Sequence, residues 1–133
     1  MPEWKYRGRT VTPEEIEFIR ATGILLVSAR ELAADPAGSA QAIADRLAGK
    51  KVHVSFDIDA LDPAFAPGTE IPSAGGMSTR QALDLLGTVL ARTSPVGFDV
   101  VEVSPPFDTG DITTFAALKL IFEFWGMSWN GKR

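Results

Sequence analysis

Three short apolar runs rich in β-formers constrain this chain more than any other feature: Ile24–Ser28 (ILLVS), Val52–Ile58 (VHVSFDI) and Val96–Val103 (VGFDVVEV). Each reads as a buried strand, because runs of this length bounded by turn residues suit a strand covered on both faces. Stretches with helical spacing separate them. Thr12-Pro13-Glu14-Glu15 is a helix start, with Thr12 as cap, Pro13 at the first helical position and Glu15 completing a capping box; Gly23 stops that helix. A polar loop is expected around Asp35-Pro36-Ala37-Gly38, then a helix over Ser39–Leu47 with Ile43 and Leu47 on one face. Ser78 opens a third helix carrying Leu83, Leu86 and Leu90, and the last helix is apolar over much of its girth, from Ile112 to Phe124. The order helix, strand, helix, strand, helix, strand, helix predicts an α/β fold: a three-layer arrangement with a parallel sheet flanked by helices. Residues 1–12 lack periodicity and read as an N-terminal arm, leaving 13–133 as one domain.

Composition narrows the function. The 133 residues carry a net charge of −4, which leaves no electrostatic footprint for nucleic acid and no basic run for a membrane surface. The absence of cysteine excludes disulfides, thiolate metal sites and a cysteine nucleophile. The polar, basic N-terminal stretch is not a signal peptide and no run is long enough to span a bilayer, so a cytoplasmic protein is expected.

In open parallel sheets, ligands bind beyond the carboxyl ends of the strands. The conspicuous acids lie there. Asp57 and Asp59 close the second run. If the strand continues through them, alternation aims both carboxylates at one spot, where a hard cation would relieve their repulsion. The alternative is that one caps the following loop and the other is solvated. Glu102 follows an apolar run and needs a cationic partner: a bound guanidinium, matched by paired N–H donors, or a local Arg or Lys. His53, the only histidine, stands near the start of its strand and reads as structural. Trp4, Trp125 and Trp129 read as packing anchors or part of a subunit interface. The Pro/Gly-rich segment 59–76 is too long for a simple connection and marks a functional or disordered loop.

Taken together, Ser55-Phe56-Asp57-Ile58-Asp59-Ala60-Leu61-Asp62-Pro63, the continuation Ala64-Phe65-Ala66-Pro67-Gly68-Thr69, then Pro72 and Gly75-Gly76-Met77-Ser78-Thr79-Arg80, and finally Gly97-Phe98-Asp99-Val100-Val101-Glu102-Val103-Ser104-Pro105-Pro106 resemble the C-terminal part of the ureohydrolases, the agmatinase/arginase family. The last segment has the agmatinase-like form. The resemblance runs from about Pro13 to about Gly126 and is most specific over 55–106.

It implies a partial arginase-like fold and a metallohydrolase chemistry in which two manganese ions activate water to split a guanidino compound into urea and an amine. Asp57 and Asp59 would be metal ligands, and Glu102 would hold the substrate guanidinium. The family's earlier histidine ligand and its Asp-x-His-x-Asp signature do not occur in these 133 residues. The expectation is therefore a chain inactive alone, with manganese absent or weakly bound, that closes its open sheet edge as a homo-oligomer, by rearranging its strands, or with a complementing chain. Two other readings stand beside it: a non-catalytic relative acting as an oligomeric structural or interaction module, and a small metal site built from Asp57, Asp59 and Asp62.

Overall fold

A computed structural model describes residues 5–6, 9–10 and 12–130. The helices are α1 (Pro13–Thr22), α2 (Ala29–Ala34), α3 (Pro36–Leu47), α4 (Thr79–Leu90) and α5 (Ile112–Asn130). The strands are β1 (Lys5–Tyr6), β2 (Arg9–Thr10), β3 (Lys51–Asp57) and β4 (Ser94–Val101), and single 3-10 turns follow β3 and β4. β1 and β2 pair antiparallel within the expected arm; the rest of that arm, with Trp4, lies outside the described residues. No helix among the described residues is long and apolar enough to cross a membrane.

The capping signals act as the sequence predicts. Thr12 and Glu15 form a reciprocal capping box on α1, and Gly23 ends it in the left-handed conformation at φ 66°. Ser78 and Gln81 form another on α4.

The run Ile24–Ser28 is not a strand. It is irregular, with Ile24 and Leu25 substantially exposed. β-propensity describes how well a side chain fits a paired, half-buried surface, and no strand among the described residues pairs with this segment. The polar loop expected around 35–38 is also replaced. Ser28 opens the short helix α2 through its own capping box with Glu31, and Asp35 caps α3, which begins at Pro36 rather than Ser39. Both starts follow ordinary rules, a Ser-x-x-Glu box and an Asp-Pro pair.

β3 and β4 form a parallel two-stranded sheet in the register His53–Gly97, Ser55–Asp99, Asp57–Val101. At Gly97 a Cβ would lie 2.4 Å from the His53 ring, so a side chain there would push that exposed imidazole aside. Val52 and Phe56 are buried and Val54 packs against the core, whereas Lys51, His53 and Ser55 on the alternate face are exposed. Leu83, Leu86 and Leu90 of α4 and Ala116, Ala117, Leu120 and Phe124 of α5 complete the core, with Phe98 stacked on Phe124 at a centroid separation of 4.5 Å. Helices thus flank a parallel sheet, in the partial arrangement the sequence implies.

Candidate active site

The site is built at the carboxyl ends of β3 and β4. β3 ends at Asp57, one residue before the predicted end, and Ile58–Ala60 coil into a 3-10 turn. Strand alternation therefore does not set the two carboxylates. Instead Asp57 caps the turn: its Oδ1 accepts the backbone N–H of Asp59 at 3.3 Å. The capping half of the alternative reading holds, but the solvated half does not, because Asp59 is only 2% exposed. Ile58, between them, is fully buried and nails the turn to the core.

Asp62 holds the long loop closed. Its Oδ1 accepts the N–H of Ala64 at 2.9 Å and its Oδ2 that of Gly75 at 2.8 Å. These donors hold its carboxyl below the usual carboxylate range. The loop ends are also zipped by backbone: Met77 N–H donates to the Ala60 carbonyl at 2.9 Å and Asp62 N–H to the Met77 carbonyl at 2.8 Å. Asp62 thus serves the loop, and no group of three or more His, Cys, Asp or Glu side chains able to hold a metal ion occurs among the described residues. The local site of Asp57, Asp59 and Asp62 is set aside on that ground. Asp62→Ala is expected to speed proteolytic nicking between residues 63 and 75 while leaving the helical circular dichroism unchanged; equal digestion rates would show the loop to be held by its other contacts.

The far side of the loop is fastened to the turn before α5. Gly68 N–H donates to the buried Thr113 hydroxyl at 2.6 Å, and the Gly68 carbonyl accepts the N–H of Ser104 at 2.8 Å. Asp108 caps α5 by accepting the N–H groups of Thr113 at 3.0 Å and Thr114 at 2.9 Å. Partial loss of water would raise the Asp108 carboxyl, but the amide and hydroxyl donors of Thr113 and Thr114 outweigh it and hold it down to about 2. A carboxyl depressed on folding contributes stability above its unfolded value, and that contribution fades as pH falls through the folded one. The protection of the Thr113 and Thr114 amides, their exchange relative to the intrinsic rate at each pH, is therefore expected to fall between about pH 4 and pH 2 in the wild type. In Asp108→Asn the acid-dependent step should vanish.

Glu102 lies just past β4, which stops at Val101 rather than 103. Its φ is 65°, an uncommon conformation for a side chain of this kind, and it is exposed. No ion pair among the described residues engages it. The register sets Asp57 opposite Val101, so the acidic turn and the strained glutamate stand side by side at one end of the sheet. His53 is elsewhere: its Nε2 is 3.7 Å from Asp99, whose other oxygen accepts the Ser55 hydroxyl at 2.6 Å. Sequence reasoning missed the roles of Thr113 and Asp108. An Asp five residues before a Thr in an apolar helix was the available signal, and the contact to Gly68 had none.

A two-ion centre needs many oxygen and imidazole donors. The described residues do not by themselves fit one, so no catalytic step through a metal is drawn for this chain alone.

Comparisons with known proteins fit this geometry. The chain is 42% identical over 115 residues to proclavaminate amidinohydrolase of Streptomyces clavuligerus, a match covering 86% of this chain and 36% of that protein. It is 42% identical over 118 residues to guanidinopropionase of Pseudomonas aeruginosa, covering 88% and 37% respectively. The structure of a hypothetical agmatinase from Burkholderia thailandensis superposes with a TM-score of 0.82 at 33% identity, over 93% of this chain and 38% of that one. The chain thus spans little more than a third of the length of these curated relatives. The model described as the arginase family matches residues 7–126, and the chain belongs to that family.

Proposed function

We propose that this chain supplies part of the active site of a hydrolase that splits a guanidino compound into urea and an amine. Asp57 and Asp59 act as two of the ligands to a manganese pair, and Glu102 receives the guanidinium of the substrate. The remaining donors come from a complementing polypeptide, and the chain is inactive without it. The reading is carried by one observation: a strained, exposed Glu102 beside the acidic turn at the carboxyl end of the sheet. Strain of this kind is retained where surrounding structure enforces it and is concentrated at functional sites. The named relatives act on different guanidino compounds, so the substrate class is stated no more finely.

The test mixes the chain with the N-terminal portion of the Pseudomonas guanidinopropionase that it does not match, adds manganese, and measures urea from arginine, agmatine and guanidinopropionate. Urea is expected from the mixture and from neither part alone, and Glu102→Gln should abolish it. A mixture that assembles, loads manganese and makes no urea from any of the three would refute the reading.

The strain gives a second expectation. Glycine adopts a positive φ without steric cost, so Glu102→Gly should leave the chain as stable or raise its stability by up to about 1 kcal/mol while removing the guanidinium contact. A drop in stability would show that Glu102 serves the fold instead. The alternative of a non-catalytic oligomeric module is favoured by a different observation, the exposed apolar side of α5.

A further inference from the structure

Glu102 holds a left-handed backbone that is unfavourable for its side chain, and what enforces it stands on either side. Before it, Val101 is fixed in β4 opposite Asp57. After it, Val103 packs against the core and the Ser104 N–H donates to the Gly68 carbonyl at 2.8 Å. The chain is pinned on both flanks, and one left-handed residue supplies the sharp turn between them. Such strain persists only where its surroundings over-determine it. Gly68 is held on its other side too. Its N–H donates to the buried Thr113 hydroxyl at 2.6 Å, and Thr113 is anchored at the start of α5, where its own N–H donates to Asp108 at 3.0 Å. We propose that Thr113 is a positioning residue for Glu102, acting through the Gly68 backbone.

The packing leaves this backbone little freedom. A Cβ on Gly68 would lie 2.6 Å from the Asp108 Cβ and 2.8 Å from its Cα, so the close approach to α5 needs glycine. Gly68 and Thr113 are both buried, which keeps water from replacing the hydroxyl as acceptor. Without that hydroxyl the Gly68 N–H would be left buried and unpaired, and the loop would shift to find an acceptor. Ser104 would move with it, and the constraint on Glu102 would be released. The same loop leaves the turn that carries Asp59 and returns to hold the far flank of Glu102, so it also fixes the spacing between that turn and the glutamate. The guanidinium at Glu102 rests on the proposed function; the clamp does not need it.

NMR of the chain by itself tests the clamp without any activity. A left-handed residue gives a strong intraresidue NOE between its amide and α protons, which lie close together in that conformation. Glu102 should show it in the wild type and keep it in Thr113→Ser, which retains the hydroxyl. It should lose it in Thr113→Val, which keeps the side-chain shape without the acceptor. A strong NOE in folded Thr113→Val would overturn the proposal, and so would its loss in folded Thr113→Ser. A second measurement needs no variant: in the wild type the Gly68 and Ser104 amides should open as one unit with matching protection, and unequal protection would overturn the clamp. In the mixture with the guanidinopropionase portion, Thr113→Val should lower urea release about a hundredfold, the cost of a contact misplaced by about 1 Å, and Thr113→Ser should restore it. Equal rates in Thr113→Val and wild type would contradict the positioning role. A wild-type mixture that makes no urea would count against the proposed activity, while the NOE comparison would still decide the clamp.

Discussion

Gly76→Ala is expected to destabilise the chain by about 3 kcal/mol, the upper end of the cost of forcing an extra methyl into close-packed surroundings. A Cβ at this position would lie 2.6 Å from the Asp62 amide nitrogen and 2.7 Å from the Ala60 carbonyl oxygen. Both are backbone atoms, so no side chain can swing away. The chain would have to part where the Met77 N–H meets the Ala60 carbonyl, and that contact fixes the turn holding Asp59. For a domain of this size the loss corresponds to a melting temperature about 10 °C lower. Gly75 makes a useful contrast: its added Cβ meets nothing within 4 Å, and its φ of 85° alone would be strained by a substitution. Thermal denaturation followed by circular dichroism checks the prediction, and an unchanged midpoint for Gly76→Ala would show the loop ends to be freely adjustable.

Ile58→Ala should cost a similar amount, about 3 kcal/mol, through lost burial and the cavity left behind. Ile58 is fully buried among Leu61, Ala82 and Leu83 in the main core, while its neighbours Asp57 and Asp59 belong to the candidate site. This position joins stability to function. The side chain holds a single 3-10 turn against the core, and the turn sets where both carboxylates stand. Native stability of such domains is only 5–15 kcal/mol, so one substitution removes a large share of it. Urea denaturation is expected to show a lower midpoint with an unchanged slope. A shift worth less than about 1 kcal/mol would mean that the turn is not anchored by this residue.

What could be read from the sequence was what local chemistry decides. Thr12 and Ser78 announced their helices because a capping residue and its partner three positions later act within one turn. The two strands that pair, and the acids at their ends, were legible because apolar runs must be buried and loops gather at one edge. Ile24–Ser28 misled because pairing is a property of two segments: the same β-forming residues stay irregular where no strand among the described residues pairs with them. The geometry of Asp57 and Asp59 was out of reach for a related reason. Whether a strand continues or coils by one turn after Asp57 depends on the buried Ile58 and on Asp57 capping the turn, and neither is visible in an alternating pattern. The left-handed backbone at Glu102 was hidden too, since nothing in Val-Glu-Val signals it. The contact between Gly68 and Thr113 spans forty-five positions and depends wholly on the fold. The family resemblance reached further than local rules because it draws on several segments at once, and the match over residues 7–126 bears it out.

The central claim is that these residues hold only part of a guanidino-hydrolase centre, and calorimetric titration of the isolated chain with manganese tests it most directly. The account predicts at most weak, millimolar-range heat, diminished further in Asp59→Asn, and no urea from any guanidino compound. Two tightly bound ions per chain, accompanied by turnover without any added polypeptide, would contradict it.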